Sequence, residues 1–269
     1  MLKKIAVYSL FLLPSTLFAA NTFLVAPTNA EISLDKPNTI SFVATNNGDS
    51  QIRLSISPKY FPVDSKYMPP AKPLNVATAG TDDLSSFMII SPKVVSLKPG
   101  EQRTVRVSIR PQPGLKEGEY RGHVLFSTLD IAESVTVEGE KGKGGEKGLS
   151  MQINFKTETA VVVYGSVGNG LADLNTSCSL VGTGKTKVVV TNSGKWRFDG
   201  WLRIYEGSKK RVDEKVFMTR ESIREIVLNW APPQDKEGKD KKELVTITWV
   251  PLDEKHKEFK TTCLVKAGA

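Results

Sequence analysis

From residue 23 to residue 264 the chain repeats one pattern: short runs in which apolar and polar side chains alternate, separated by clusters of Gly, Pro, Asn and Asp. A period of two puts alternate side chains on opposite faces of an extended strand, whereas a helix repeats near 3.6. No stretch after the N-terminal segment carries a convincing helical period. Residues 39–45 place Ile40, Phe42 and Ala44 on one face, residues 51–57 do the same with Ile52, Leu54 and Ile56, and Val105, Val107 and Ile109 repeat it beyond a Pro99-Gly100 turn. Strands of this length and spacing predict an antiparallel β-sandwich rather than an α/β fold. Pro27 interrupts the first strand-like run, which suits an edge or a strand that switches sheets. Residues 58–83 carry five prolines and read as a long irregular excursion.

A Gly-rich break at residues 165–170 divides the chain, and strand-like segments then resume to the end. The expected organisation is residues 1–20 as a signal peptide, residues 21–168 as a larger sandwich and residues 169–269 as a smaller one. The N-terminal segment supports the first of these. Lys3 and Lys4 precede an apolar run over residues 5–18, and Ala19-Ala20 supply the small residues of a cleavage site. The predicted location is therefore outside the cytoplasm. In such a compartment two cysteines, Cys178 and Cys263, are expected to pair. That bond closes a long loop, worth about 4 kcal/mol in the chain-entropy view.

Chemistry is sparse. The formal charge is +8, but its densest basic runs interleave acids with bases, which reads as solvated surface rather than a nucleic-acid face. Gly182 to Thr186 spell GTGKT, yet a phosphate loop needs glycine where Ser179 stands and a helix where a Val-rich strand is expected, so no nucleotide site is predicted. His123 and His256 lie in unrelated stretches, form no metal cluster, and are assigned structural or surface roles. No nucleophile elbow or triad is present, so the chain reads as a non-enzyme without cofactor or metal.

One stretch stands apart. Residues 138–148 are Gly, Lys and Glu, and they deliver a strand in which Met151, Ile153 and Phe155 alternate with Gln152, Asn154 and Lys156. Two readings of its apolar face stand: those side chains cover the protein's own core, or the strand lies at an edge and offers them to another chain.

The run Ser91-Pro92, Leu97, Pro99-Gly100, Val105-Arg106, followed by Glu119-Tyr120-Arg121, resembles the periplasmic PapD-like chaperones of the chaperone–usher pathway. The order of signal peptide, larger sandwich, hinge and smaller sandwich is similar throughout. The resemblance implies two immunoglobulin-like β-sandwich domains, and a chaperone that stabilises pilus or fimbrial subunits by donor-strand complementation before delivery to an outer-membrane usher. It places Met151, Ile153 and Phe155 as the donors, and the free donor strand is open to shelter by self-association. Two departures mark a divergent member. The family's carboxylate-anchoring arginine and lysine align near Asn29 and Ala160, so Lys156, four residues before Ala160, is left with Asn29 as the candidate anchor. The cysteine pair of the long-loop subgroup is also missing. A second reading is an exported two-domain adhesin or pilus tip subunit.

Overall fold

The computed structural model describes residues 22–66, 68–78, 80–110, 113–129, 132–138, 150–182, 184–232, 242–253 and 256–266; for Thr78, residues 132–138, 150–155 and 242–243, and Lys266, the backbone alone is described. The signal-peptide expectation for residues 1–20 lies outside them.

Among the described residues, twelve strands precede Gly168: β1 (Phe23–Ala26), β2 (Asn29–Ser33), β3 (Asn38–Asn46), β4 (Ile52–Lys59), β5 (Lys72–Pro73), β6 (Met88–Ser91), β7 (Val94–Leu97), β8 (Gln102–Ile109), β9 (Gly118–Thr128), β10 (Ala132–Glu138), β11 (Ser150–Phe155) and β12 (Glu158–Val167). A sheet ordered β1-β3-β8-β6 faces a second ordered β2-β12-β9-β4-β7. The alternation seen in sequence is the burial seen in space: Phe42, Leu54, Leu97, Val105 and Val107 have no measurable exposure and alternate with more exposed neighbours, whereas β9, which carries fully buried Phe126, is covered on both faces. Each such side chain stabilises the fold by about 1.5–3 kcal/mol on burial. At Pro27 the chain changes sheets, β1 pairing with β3 and β2 running parallel to β12. Gly165 permits that parallel approach, because a Cβ there would meet Leu34 at 2.8 Å.

Seven strands follow: β13 (Leu174–Leu180), β14 (Thr186–Asn192), β15 (Phe198–Glu206), β16 (Lys209–Met218), β17 (Ser222–Leu228), β18 (Lys242–Pro251) and β19 (Phe259–Lys266). They form sheets ordered β13-β14-β17-β5 and β16-β15-β18-β19 around a separate core centred on Trp249, Leu202 and Ile247. Trp249 is fully buried, and its indole N–H donates to Thr261 Oγ1 at 2.8 Å, which meets the polar requirement of a core tryptophan. Cys178 on β13 and Cys263 on β19 are disulfide-bonded, with Cα atoms 5.6 Å apart, so the bond joins the first and last strands of this sandwich. The GTGKT stretch is the connection from β13 to β14 and leads into a strand.

The two sandwiches share a corner. At the end of β3, buried Asn46 donates to Ser50 O and Leu97 O and accepts from Gly48 N. At the end of β14, buried Asn192 donates to Trp196 O and Thr219 O and accepts from Gly194 N. In both, an amide side chain replaces the backbone partners lost where a strand turns away from its sheet.

One strand crosses the boundary. The excursion expected over residues 58–83 begins only at Tyr60, because Pro58 and Lys59 still pair with β9 as the end of β4. Beyond them it is largely irregular, with a 3-10 turn at Val76–Thr78, but at its far point β5 pairs antiparallel with β17, Pro73 opposite Ser222 and Lys72 opposite Ile223. Segment 72–74 thus belongs to the first half of the sequence and to a sheet of the second sandwich.

Candidate functional site

The joint between the sandwiches is charged. Arg197, between β14 and β15, contacts the carboxylates of Glu31 on β2 and Glu119 on β9, and its guanidinium lies 3.9 Å from the ring centroid of Tyr164 on β12. One side chain of the second sandwich therefore touches three strands of a single sheet in the first. Arg220 adds a hydrogen bond to Glu119 O at 3.0 Å. Burial pushes the Glu119 carboxyl up to about 7, against the pull of Arg197. Burial likewise pushes the Tyr164 phenol up to about 12.

Beside this joint opens a cleft. Its floor is the outward face of β12 and β9, with Ala160, Val162 and Tyr164 from the first and His123 and Leu125 from the second. The far wall is Phe217 of β16, whose ring centroid is 6.4 Å from that of Tyr164. The near wall is the excursion, through Phe61, Met68 and Pro69. Along β12 the odd positions Val161 and Val163 are buried in the core, so the even positions line the cleft.

The polar groups of the cleft come from separate strands. Lys59, at the end of β4, lies opposite His123 in the β4–β9 register and is exposed. His123 is only 6% exposed, its ring centroid lies 4.7 Å from that of Phe61, and its Nδ1 has no protein partner. Burial, reinforced by the Arg121 cation, pushes its pKa down to about 4, so the ring is neutral near neutral pH. Beneath the excursion, the Tyr60 hydroxyl donates to Asp82 Oδ1 at 2.5 Å, and Arg121 bonds both Asp82 Oδ2 at 3.4 Å and Met68 Sδ at 3.1 Å. Burial and the Asp82 carboxylate raise the Tyr60 phenol above its ordinary range.

The predicted site residues fall around this cleft. The backbone of β11 pairs with β10 alone among the described residues, with Met151 opposite Val137, Ile153 opposite Val135 and Phe155 opposite Ala132. The side chains of Met151, Ile153 and Phe155 lie outside the described residues. Lys156 and Thr157 separate β11 from β12; Thr157 O already accepts from Thr128 N at 3.0 Å, and the β12–β9 ladder runs from Glu158. Lys156 is 63% exposed and paired with Glu158 at 2.8 Å. Asn29 is exposed, opens β2 and lies opposite Val162, two residues beyond Ala160, the β12 position that departs from the family cation. Strand β2 covers β12 only from Val162 onward, so β12 has no strand on its outer edge over residues 158–161, among the described residues.

Sequence reasoning missed Lys59, Phe61, His123 and Phe217. Nothing local marks them, because their meeting depends on the β4–β9 register and on how the sandwiches sit together. No group of three or more His, Cys, Asp or Glu is placed to hold a metal among the described residues.

No protein-family model matches the chain, and no curated protein matches it. Solved structures do. The YadV chaperone aligns with a TM-score of 0.50 at 9% identity, over 90% of this chain and 98% of the other. A chain from the Salmonella enterica SafA pilin–SafB chaperone complex aligns with a TM-score of 0.48 at 11% identity, over 91% and 97%. The Escherichia coli chaperone DraB gives 0.46 at 11%, over 92% and 96%. Identities this low speak to architecture, and the two-sandwich fold implied by the resemblance to PapD-like chaperones is the fold observed.

Proposed function

We propose that this protein is a periplasmic chaperone that captures pilus or fimbrial subunits by lending them a strand and passes them to an outer-membrane usher. The observation that carries the reading is the uncovered outer edge of β12 over residues 158–161, set in the wall of a cleft between two sandwiches. An open strand edge beside an apolar floor suits an extended partner: main-chain hydrogen bonds give affinity, and alternate side chains in pockets give register. Natural sheets normally cover or charge such an edge. In this reading β11 extends the same edge, with Met151, Ile153 and Phe155 as donors. Burying three such side chains is worth about 5–8 kcal/mol before association costs. The role involves binding and release, without a catalytic step or cofactor.

The partner's terminal carboxylate meets cations at the cleft. Lys156 with Asn29 is one anchor; Lys59, exposed beside the cleft floor, is a second. Co-expression with a pilin-like subunit tests both levels. Ile153→Asp and Phe155→Asp are expected to abolish co-purification while the thermal transition of the free protein stays in place. If those variants unfold instead, the side chains belong to this protein's own core and the donor assignment fails. Loss of capture in Lys59→Ala but not in Lys156→Ala assigns the anchor to Lys59; the reverse assigns it to Lys156.

A further inference from the structure

The excursion over residues 58–83 is held unlike the rest of the first sandwich. Its root is built in: Arg121 N donates to Asp82 O at 2.7 Å, Leu84 N donates to Arg121 O at 2.9 Å, and Tyr60, Asp82 and Arg121 are bonded to one another. Its far point is not. There β5 contributes two residues, Lys72 and Pro73, and Pro73 has no N–H to give. Leu74 N donates to Glu221 O at 2.8 Å, and Leu74 itself is exposed.

The receiving residue is unusual. Glu221 has φ 47°, the sole left-handed non-glycine backbone among the described residues. Such a conformation persists where surrounding contacts enforce it, and here those are Gly194 O, which accepts from Glu221 N, and Leu74 N. The segment also seals polar groups it does not satisfy. Seven buried side-chain atoms lack a protein partner among the described residues. Four lie in the excursion or against it: Ser65 Oγ, Arg121 Nε, His123 Nδ1 and Thr219 Oγ1. Buried polar atoms are normally paired, and their concentration beneath one segment marks a closed position held at a cost.

We propose that the segment from Tyr60 to Asp83 is a latched strap over the interdomain cleft. Its far point docks on β17 when closed, and release of that pairing carries Phe61 and Met68 off the floor and uncovers His123. The strap thereby controls how much of the apolar wall of β12 and β9 is open to anything entering the cleft. The device belongs to the free protein and does not depend on the identity of the partner, so its test uses no subunit.

The chain has two histidines, His123 beneath the strap and His256 on the surface, so one reagent reads the device with an internal reference. Carbethoxylation of imidazole, followed site by site by mass spectrometry, is to be measured on the wild type, on Leu74→Pro, and on Lys72→Cys with Ile223→Cys, a directly opposed pair. The disulfide in the double variant is expected to slow modification of His123 by about tenfold, reversed by mild reductant, with His256 unchanged; Leu74→Pro is expected to speed it by a similar factor. A His123 rate that ignores both the crosslink and Leu74→Pro overturns the strap and leaves residues 58–83 as a fixed wall. Because oxidised and reduced forms are the same polypeptide, a folding defect in the variant does not imitate the result.

Discussion

The two sandwiches are built around the same corner, Asn46 in one and Asn192 in the other, yet they differ in what holds them together and in what they bury. The second is stapled across its width by Cys178–Cys263, and its β17 edge is capped at one end by a strand borrowed from the other half of the chain. The first has no disulfide, leaves β12 without a covering strand over residues 158–161 among the described residues, and buries a neutral histidine and a carboxyl with a raised pKa beside its cleft. One sandwich carries the covalent staple, and the other keeps its open edge and titrating groups where the two meet. The contrast teaches that stability and exposure have been assigned to different cores of one protein.

The largest expected effect attacks the staple. Replacing Cys178 and Cys263 with serine should lower the stability of the second sandwich by about 4–5 kcal/mol, the value for a closed loop of this length. Calorimetry should then show its transition moving well below that of the first sandwich, which stays in place. If both transitions shift together, the Arg197 joint couples the cores into one unit and the contrast is weaker than drawn.

The shared corner gives a second, smaller test. Asn46→Ala and Asn192→Ala each strand backbone groups that the amide satisfied, and each should cost about 2–4 kcal/mol. The cost should be similar in kind for both, but Asn46→Ala should abolish folding of its unstapled sandwich at a lower denaturant concentration than Asn192→Ala does for the stapled one. Equal midpoints argue that the disulfide does not compensate for the corner.

The smallest effect is in pH. His123 has a folded pKa of about 4 against an ordinary 6.5, so between those values the unfolded chain holds a proton that the folded one refuses, and stability falls as pH drops through that window. Glu119 is the opposite case. With a folded pKa of about 7 against 4.5, the folded chain holds the extra proton between those values, and stability falls as pH rises through the window. His123→Phe should flatten the acid side of the melting-temperature profile and Glu119→Gln the side toward pH 7. Both changes should appear in the transition of the first sandwich; a pH response confined to the second breaks the comparison.

Much of the architecture was legible in the residues. Alternation announced most strands, Pro27 the change of sheet, and Cys178 with Cys263 the staple, because each follows from a local rule of period, ring geometry or cysteine pairing. The strap's pairing was not legible: Lys72-Pro73 is too short to alternate and lies among prolines that argue against a strand. A structural or surface role for His123 describes its burial but not its place beside Lys59 and Phe61 on a cleft floor. Arg197 looks like one basic residue among many until three strands of another sandwich converge on it. What sequence could not supply was the relation between distant segments, and the cleft consists of little else.

The disulfide also decides how the protein meets mechanical load. The cysteines stand 85 residues apart and enclose nearly all of the second sandwich. Tension applied outside them passes through the sulfur atoms and bypasses that segment, withholding about 290 Å of extensible chain at 3.3–3.6 Å per residue. Under pulling, nearly all the added length comes from the first sandwich, so the half with the open edge beside the cleft is also the half that yields to force.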